Sequence, residues 1–198
     1  MTTAFNEANR YLIERWADAR ELVLGMEATR KRYGRVLEDA LAELRQRKWW
    51  ERDFKGWSSV EYGIGFGRKS WDVTNHEHHF PGLWMDNIEL DHLLTDHEDR
   101  PNAYVWIGPL KNAGHDLSAV KRAILKRATP VLRNFPKRSH ENESDIIRYL
   151  FPERPKDFER ALTQNRSRPF IELLCNHADT LAEFIPAIDE ALRRKPRK

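Results

Sequence analysis

The sequence predicts an α+β domain: a long N-terminal helix (or helical hairpin), a central antiparallel β-meander and a C-terminal helical layer. Three observations predict this order. Apolar residues recur at helical spacing in residues 1–48, six of the seven tryptophans and an alternating pattern lie in residues 49–110, and helical spacing returns in residues 111–198. With 198 residues, the three parts fit one compact domain with a shared core.

The composition restricts both location and chemistry. Charged residues make up 33% of the chain and the net charge is +3, which is typical of a globular protein and excludes a disordered one. Charges in the first twenty residues and the lack of a long apolar run predict a cytoplasmic protein that does not bind membranes. Cys175 is the only cysteine, so we expect a buried structural thiol and neither an internal disulfide nor a thiolate zinc site.

The N-terminal segment carries one apolar stripe with the spacing of a heptad. Arg30 interrupts the stripe between Gly25 and Gly34, so one long bent helix and a two-helix hairpin both fit, and we favour the long helix. The stripe consists of Phe5, Leu12, Trp16, Ala19, Val23, Met26, Tyr33, Leu37, Ala40 and Leu44.

Such a helix would be longer than the domain that carries it. Unbroken over residues 5–48, it would span about 65 Å, so part of it would project. Trp16, Val23 and Met26 would then form a partner-binding surface, for a homodimer or for another protein. The favoured alternative is that the stripe packs on the sheet of its own domain.

The central segment predicts the meander. Val60, Tyr62, Ile64 and Phe66 alternate with glycines, which indicates a strand whose glycine face admits a closely packed helix or the backbone of a ligand. Further strands are expected at residues 70–74, 83–90 and 103–108. The gaps are too short for crossover helices, so the connections are predicted to be antiparallel.

The C-terminal segment predicts several helices. Asp116 caps a helix over residues 117–129, which Pro130 ends or kinks. Short helices are expected from residue 144 or 145 through 150 and over 157–162. A final helix begins near Pro169, and Pro186 bends it or divides it in two.

Histidines and acids cluster in and near the turns of the meander. His76, His78, His92 and His97 are of the type that binds divalent metals, and Glu89 and Asp91 share a strand face as nuclease carboxylates would. Their spacing matches no known site, and the lysine that follows such carboxylates is missing. We therefore expect a solvated turn without a cofactor, with a divalent metal as the alternative.

The residues that follow the meander are basic. They predict a surface that contacts nucleic-acid phosphates, and a basic group on the first helix would add to it. The alternative is an ordinary solvated helix face, and the prediction fails if the acidic residues 86–99 lie beside it. The candidate residues are Lys121, Arg122, Lys126, Arg127 and Arg133, with Arg30, Lys31 and Arg32 on the first helix.

One segment resembles a known family. Its features are a helix ending in Trp49-Trp50, the strand over 60–66, Lys69-Ser70-Trp71-Asp72, the strand over 83–90 and Ala103-Tyr104-Val105-Trp106-Ile107-Gly108. Residues 45–108, less than a third of the chain, resemble the accessory region beside the catalytic core of bacterial PD-(D/E)XK nuclease-like proteins. The resemblance implies a noncatalytic module from a bacterial or phage defence context. The acidic and lysine residues of the nuclease core have no counterpart, so no catalytic residue is implied.

The resulting hypothesis is a noncatalytic accessory protein that binds nucleic acid or a protein that processes it. Its basic helix and its projecting first helix would make the contacts. Two alternatives remain open at this point. One is a metal-dependent hydrolase that uses the histidine and carboxylate clusters, and the other is a structural oligomerisation protein.

Overall fold

A computed structural model gives the architecture of the chain; the residues it describes are 10, 13–71, 81–86, 88, 93, 102–112, 114–132, 145–149 and 156–193. The order of elements confirms the predicted α+β class, with a long helix first, an antiparallel sheet in the centre and helices last. The helices and strands in the described ranges are α1 (Trp16–Leu44), β1 (Phe54–Ser59), β2 (Gly63–Arg68), β3 (Gly82–Asp86), β4 (Asn102–Trp106), α2 (Leu117–Leu132), β5 (Asp145–Tyr149), α3 (Lys156–Thr163), α4 (Arg168–Ala182) and α5 (Ile185–Arg193).

The sheet is a meander in which each strand pairs with the next in sequence. The order is β1-β2-β3-β4-β5 and every pairing is antiparallel. One row of facing residues runs across all five strands and forms the floor of the core: Gly56, Phe66, Leu83, Val105 and Ile146. The helices cover this face, because their buried side chains belong to the same hydrophobic cluster.

The first helix is continuous, so the hairpin alternative is wrong. Neither Gly25 nor Gly34 breaks α1. Its buried residues begin at Tyr33, and the only partly covered positions between residue 13 and Tyr33 are Ala19 and Thr29. The second half of α1 packs on β1 and α4, whereas the first half lies outside the core.

The C-terminal helices largely follow their predicted bounds. Asp116 caps α2 as expected, since its Oδ1 accepts a hydrogen bond of 3.1 Å from the Ala119 amide. The helix continues past Pro130 to Leu132. The predicted final helix is divided in two at Glu183 and Phe184. Pro186 lies in the first turn of α5, where the amide proton that proline lacks would have no helical hydrogen-bond partner. None of the helices in these ranges is long and apolar enough to cross a membrane.

The predicted helix over residues 144–150 is wrong, because residues 145–149 form the edge strand β5. Ile146 lies opposite Val105 of β4 and is 1% exposed. Two consecutive β-branched residues favour a strand, and the pairing with β4 satisfies backbone groups that a single helical turn would leave unpaired.

Two details of the predicted strands also need correction. The predicted strand over 70–74 is wrong at its start, because Lys69–Trp71 forms a 3₁₀ turn. This turn directs the Trp71 indole into the core. Residues 72–74 lie outside the described ranges. The strand expected from Val60 begins instead at Gly63. Residues 60–62 form the turn of a hairpin with β1, and Gly63 has a φ of +83° that favours glycine.

The glycine face of β2 receives a side chain of the sheet itself, at Gly65. A Cβ atom at Gly65 would lie 2.3 Å from the ring of Trp84, which faces it from β3. Trp84 in turn stacks on Tyr104 at 6.3 Å between ring centres and meets Trp57 edge to face at 6.1 Å. The expectation that a helix or ligand backbone would pack there is therefore wrong at this residue.

We expect Gly65→Ala to lower the free energy of unfolding by about 2 kcal/mol, because the added methyl group forces the Trp84 ring out of its position. Gly25→Ala is the matched control, since no atom lies within 4 Å of its Cβ position. In an exposed helix that change should stabilise by up to about 1 kcal/mol. Urea denaturation of both variants checks this, and equal effects at the two sites would contradict it.

Candidate nucleic-acid interface and helical arm

Three of the predicted basic residues of α2 line a groove between α2 and α5, here called the basic groove, whereas Lys121 does not belong to its lining. Its volume is about 570 Å³. Alanines at four-residue spacing on each helix form its floor, so the two backbones approach closely, and longer side chains form its rim. The lining residues are Ala119, Arg122, Ala123, Lys126 and Arg127 of α2 with Ala187, Glu190 and Ala191 of α5.

The rim of the basic groove is predominantly positive. Arg122 and Lys126 are exposed and lie one helical turn apart, as predicted from their spacing. Arg127 forms an ion pair with Glu190 across the groove, so one of the cations is partly neutralised. Three cations against one carboxylate leave an excess of positive charge in a concave surface.

A second network fixes α5, the far wall of the groove. Arg68 at the end of β2 donates to Glu51 and Asp53 at 2.8 Å and to Asp189 of α5 at 3.2 Å. The Trp71 indole donates to the other oxygen of Asp189 at 2.8 Å. The hydrogen bond from Arg68 lowers the pKa of Glu51. Since the Arg68 side chain is only 15% exposed, this network ties α5 to the sheet.

The basic residues of the first helix lie elsewhere. Arg30 and Lys31 are exposed, whereas Arg32 donates to the carbonyl oxygen of Leu162 at 2.6 Å and so joins α1 to α3. The second half of α1 packs on β1, whereas α2 packs on β5. These two strands are the opposite edges of the sheet and lie about 19 Å apart at the usual strand spacing. The two basic groups therefore lie on helices that pack near opposite edges of the sheet. Arg133 lies outside the described residues.

The predicted partner-binding residues are exposed. Trp16, Val23 and Met26 are 67%, 55% and 59% exposed, and Leu22 on the same side of α1 is 67% exposed. Periodicity alone missed Leu22, because it lies beside the heptad seam and not in it. We call residues 13–32 the arm.

The candidate metal ligands come from the turns of the meander. His76, His78, His92 and His97, with Glu89 and Asp91, lie outside the described residues, as does most of the acidic stretch that would disfavour nucleic acid. Within the described ranges, no three histidine, cysteine or acidic side chains converge as metal ligands would. The metal and hydrolase hypotheses stay predictions.

Comparison with known proteins adds no relative. No family model matches the chain, and no curated protein or solved structure matches it. The resemblance of residues 45–108 to the nuclease accessory region therefore also stays a prediction.

Burial changes the titration of two side chains of α4. It lowers the pKa of His177 to about 4 and raises the pKa of the Cys175 thiol. Cys175 is buried, with its sulfur 3.9 Å from the Ala40 carbonyl oxygen, which agrees with the predicted structural thiol.

Arg68→Met should lower the free energy of unfolding by about 2 kcal/mol, because it leaves Asp53 and Asp189 without their shared cation. Arg68→Lys keeps the charge but not the planar fork, so we expect it to recover only part of that loss. Urea denaturation at pH 7 measures both. Equal stability of the wild type and Arg68→Met would refute the role given to this network.

His177 should make stability depend on pH between about 6.5 and 4. Folded His177 stays neutral in this window while the unfolded chain takes up the proton, so stability falls as the pH falls. Between pH 7 and pH 4.5 we expect the wild type to lose about 1 to 2 kcal/mol more than His177→Gln. Urea midpoints at the two pH values give the difference, and parallel losses would show that His177 does not contribute.

Proposed function

We propose that the protein is a noncatalytic binding protein that holds nucleic acid in the basic groove between α2 and α5. The observation that carries the proposal is the rim of exposed Arg122 and Lys126, with Arg127, above a floor of alanines. An accessory role in a bacterial or phage defence context rests on the resemblance of residues 45–108, and a cytoplasmic location rests on the charges of the first twenty residues. The other occupant considered is a protein that processes nucleic acid.

The physical basis is the attraction of phosphates to clustered cations. Each phosphate that an arginine or lysine neutralises releases condensed counterions, so binding is favourable and weakens with salt. The small floor residues allow a phosphate backbone to enter between the two helices. Arginine and lysine at one-turn spacing can then contact successive phosphates from one side of the groove.

The lining also predicts what the groove does not recognise. Its described side chains are alanines, cations and Glu190, with no aromatic ring on which a base could stack. Phosphate contacts carry no sequence information by themselves. We therefore expect binding that is indifferent to sequence and similar for single-stranded and double-stranded DNA.

A specific observation favours a second candidate function, the assembly of a complex through the arm. Six exposed large apolar side chains lie on the arm, and apolar surface of this extent marks an interaction site more often than a bare helix. The arm and the basic groove are separate surfaces, so the two functions are compatible.

Fluorescence anisotropy of labelled single- and double-stranded oligonucleotides, titrated at several salt concentrations, tests the proposal. We expect Arg122→Glu/Lys126→Glu to weaken binding about tenfold or more and to reduce the salt slope by about 2, because two phosphate contacts are lost. Glu190→Gln should strengthen binding, since it removes the only carboxylate of the lining.

The matched control is Arg45→Glu/Arg166→Glu, which makes the same change of charge at two exposed sites outside the groove. It should leave the affinity nearly unchanged. A similar loss in both double variants would mean that net charge and not the groove attracts DNA. Lack of binding at low salt would refute the proposal and leave a protein partner.

A further inference from the structure

The exposed apolar side chains of this protein are concentrated on the arm. Of the seven large apolar residues that are exposed in the described ranges, six lie between Ile13 and Met26. The seventh is Tyr62, in the hairpin turn between β1 and β2. That turn contacts α1 where the arm leaves the body, since a Cβ at Gly34 would lie 3.3 Å from Val60 Cγ1.

The exposed apolar residues of the arm continue the apolar stripe that the second half of α1 buries. At 100° per residue, the exposed Trp16, Leu22, Val23 and Met26 fall on the same side of α1 as the buried residues from Tyr33 to Leu44. One half of the stripe is covered by the sheet and α4. The other half, about 26 Å long at the standard rise, has no cover from the described residues.

We propose that a second copy of the chain covers the arm, with the two arms packed antiparallel about a two-fold axis. In the register that we propose, Val23 faces Met26 of the partner subunit, and Met26 faces Val23 of the partner subunit. Each contact occurs twice, as a closed dimer requires.

Charge complementarity selects this register and direction. Arg20 and Glu27 flank the seam on the same side, and antiparallel packing places Arg20 opposite Glu27 of the partner subunit, twice per dimer. A parallel pair in register would instead place Arg30 opposite Arg30 of the partner subunit within the seam. In the antiparallel pair Arg30 faces the small Ala19, where its stem has room to lie along the seam and its charge can reach water.

In the same register, the two arms can pair only between residues 17 and 32 of each subunit. Beyond residue 32 the stripe is already covered within its own subunit, because Tyr33 is fully buried against Phe158 and Phe170 and Val60 packs beside Gly34. Isolated helices of this length are marginal in water, so pairing would stabilise both arms.

The inference is independent of the nucleic-acid proposal, and its test uses the full chain without nucleic acid. Analytical ultracentrifugation of the wild type, Arg20→Glu, Glu27→Arg and an equimolar mixture of the two variants measures the dimer. In each single variant both inter-arm pairs become repulsive, and we expect the dissociation constant to rise about tenfold or more. In the mixture every pair is again attractive, so a heterodimer of near wild-type affinity should form.

Glu21→Arg is the matched control, because it makes the same change of charge on the side of the arm away from the seam. It should dimerise like the wild type, and circular dichroism establishes that all variants stay helical. A monomeric wild type at about 100 μM, a mixture that stays dissociated, or an equal loss in Glu21→Arg would overturn the proposal.

Discussion

The burial of Tyr33 is the interaction that sets where α1 leaves the core, and the arm depends on it. Its ring is fully covered and meets the ring of Phe158 of α3 edge to face, with 5.5 Å between the ring centres. The centre of the Phe170 ring of α4 lies 6.4 Å away. Its hydroxyl donates to the carbonyl oxygen of Ile88, just beyond β3. One side chain thus joins α1 to the sheet and to two helices at the residue where α1 leaves the core. The direction of the arm is fixed by this contact.

The basic groove depends on a different contact, at the other end of the helical layer. α5 is a short helix of nine residues, and such helices owe their stability to packing. Asp189 accepts from both Arg68 and Trp71, so β2 and the 3₁₀ turn that follows it hold α5 through two hydrogen-bonded side chains. Glu190 is the next residue and reaches Arg127 on α2. The rim of the groove is therefore positioned by the sheet, through α5.

Helical spacing in the sequence was enough to predict α1, α2, and the helices around Pro186, because each buries a stripe that local periodicity reveals. Residue spacing did not predict β5, because that segment is a strand only through its pairing with β4. It also did not predict the role of Gly65, which has no side chain and so leaves room for the ring of Trp84 on the neighbouring strand. The cations of the groove were found from α2 alone. The opposite wall was missed because Ala187, Glu190 and Ala191 are about sixty residues away; paired alanines at four-residue spacing on both helices were the available signal.

The two proposed surfaces should respond differently to salt. Phosphate binding in the groove would weaken as salt reduces the free-energy gain from counterion release, whereas burial of Val23 and Met26 between two arms would be strengthened by salts that are excluded from protein surfaces. Only the Arg20–Glu27 pairs of the arms would be screened. A two-fold dimer would also carry two grooves, and a nucleic acid long enough to reach both would bind the second at a high effective concentration. Dimerisation through the arm would then raise affinity for long nucleic acids without changing any contact in the groove. The length dependence of binding would then report on the arm, and its salt dependence would report mainly on the groove.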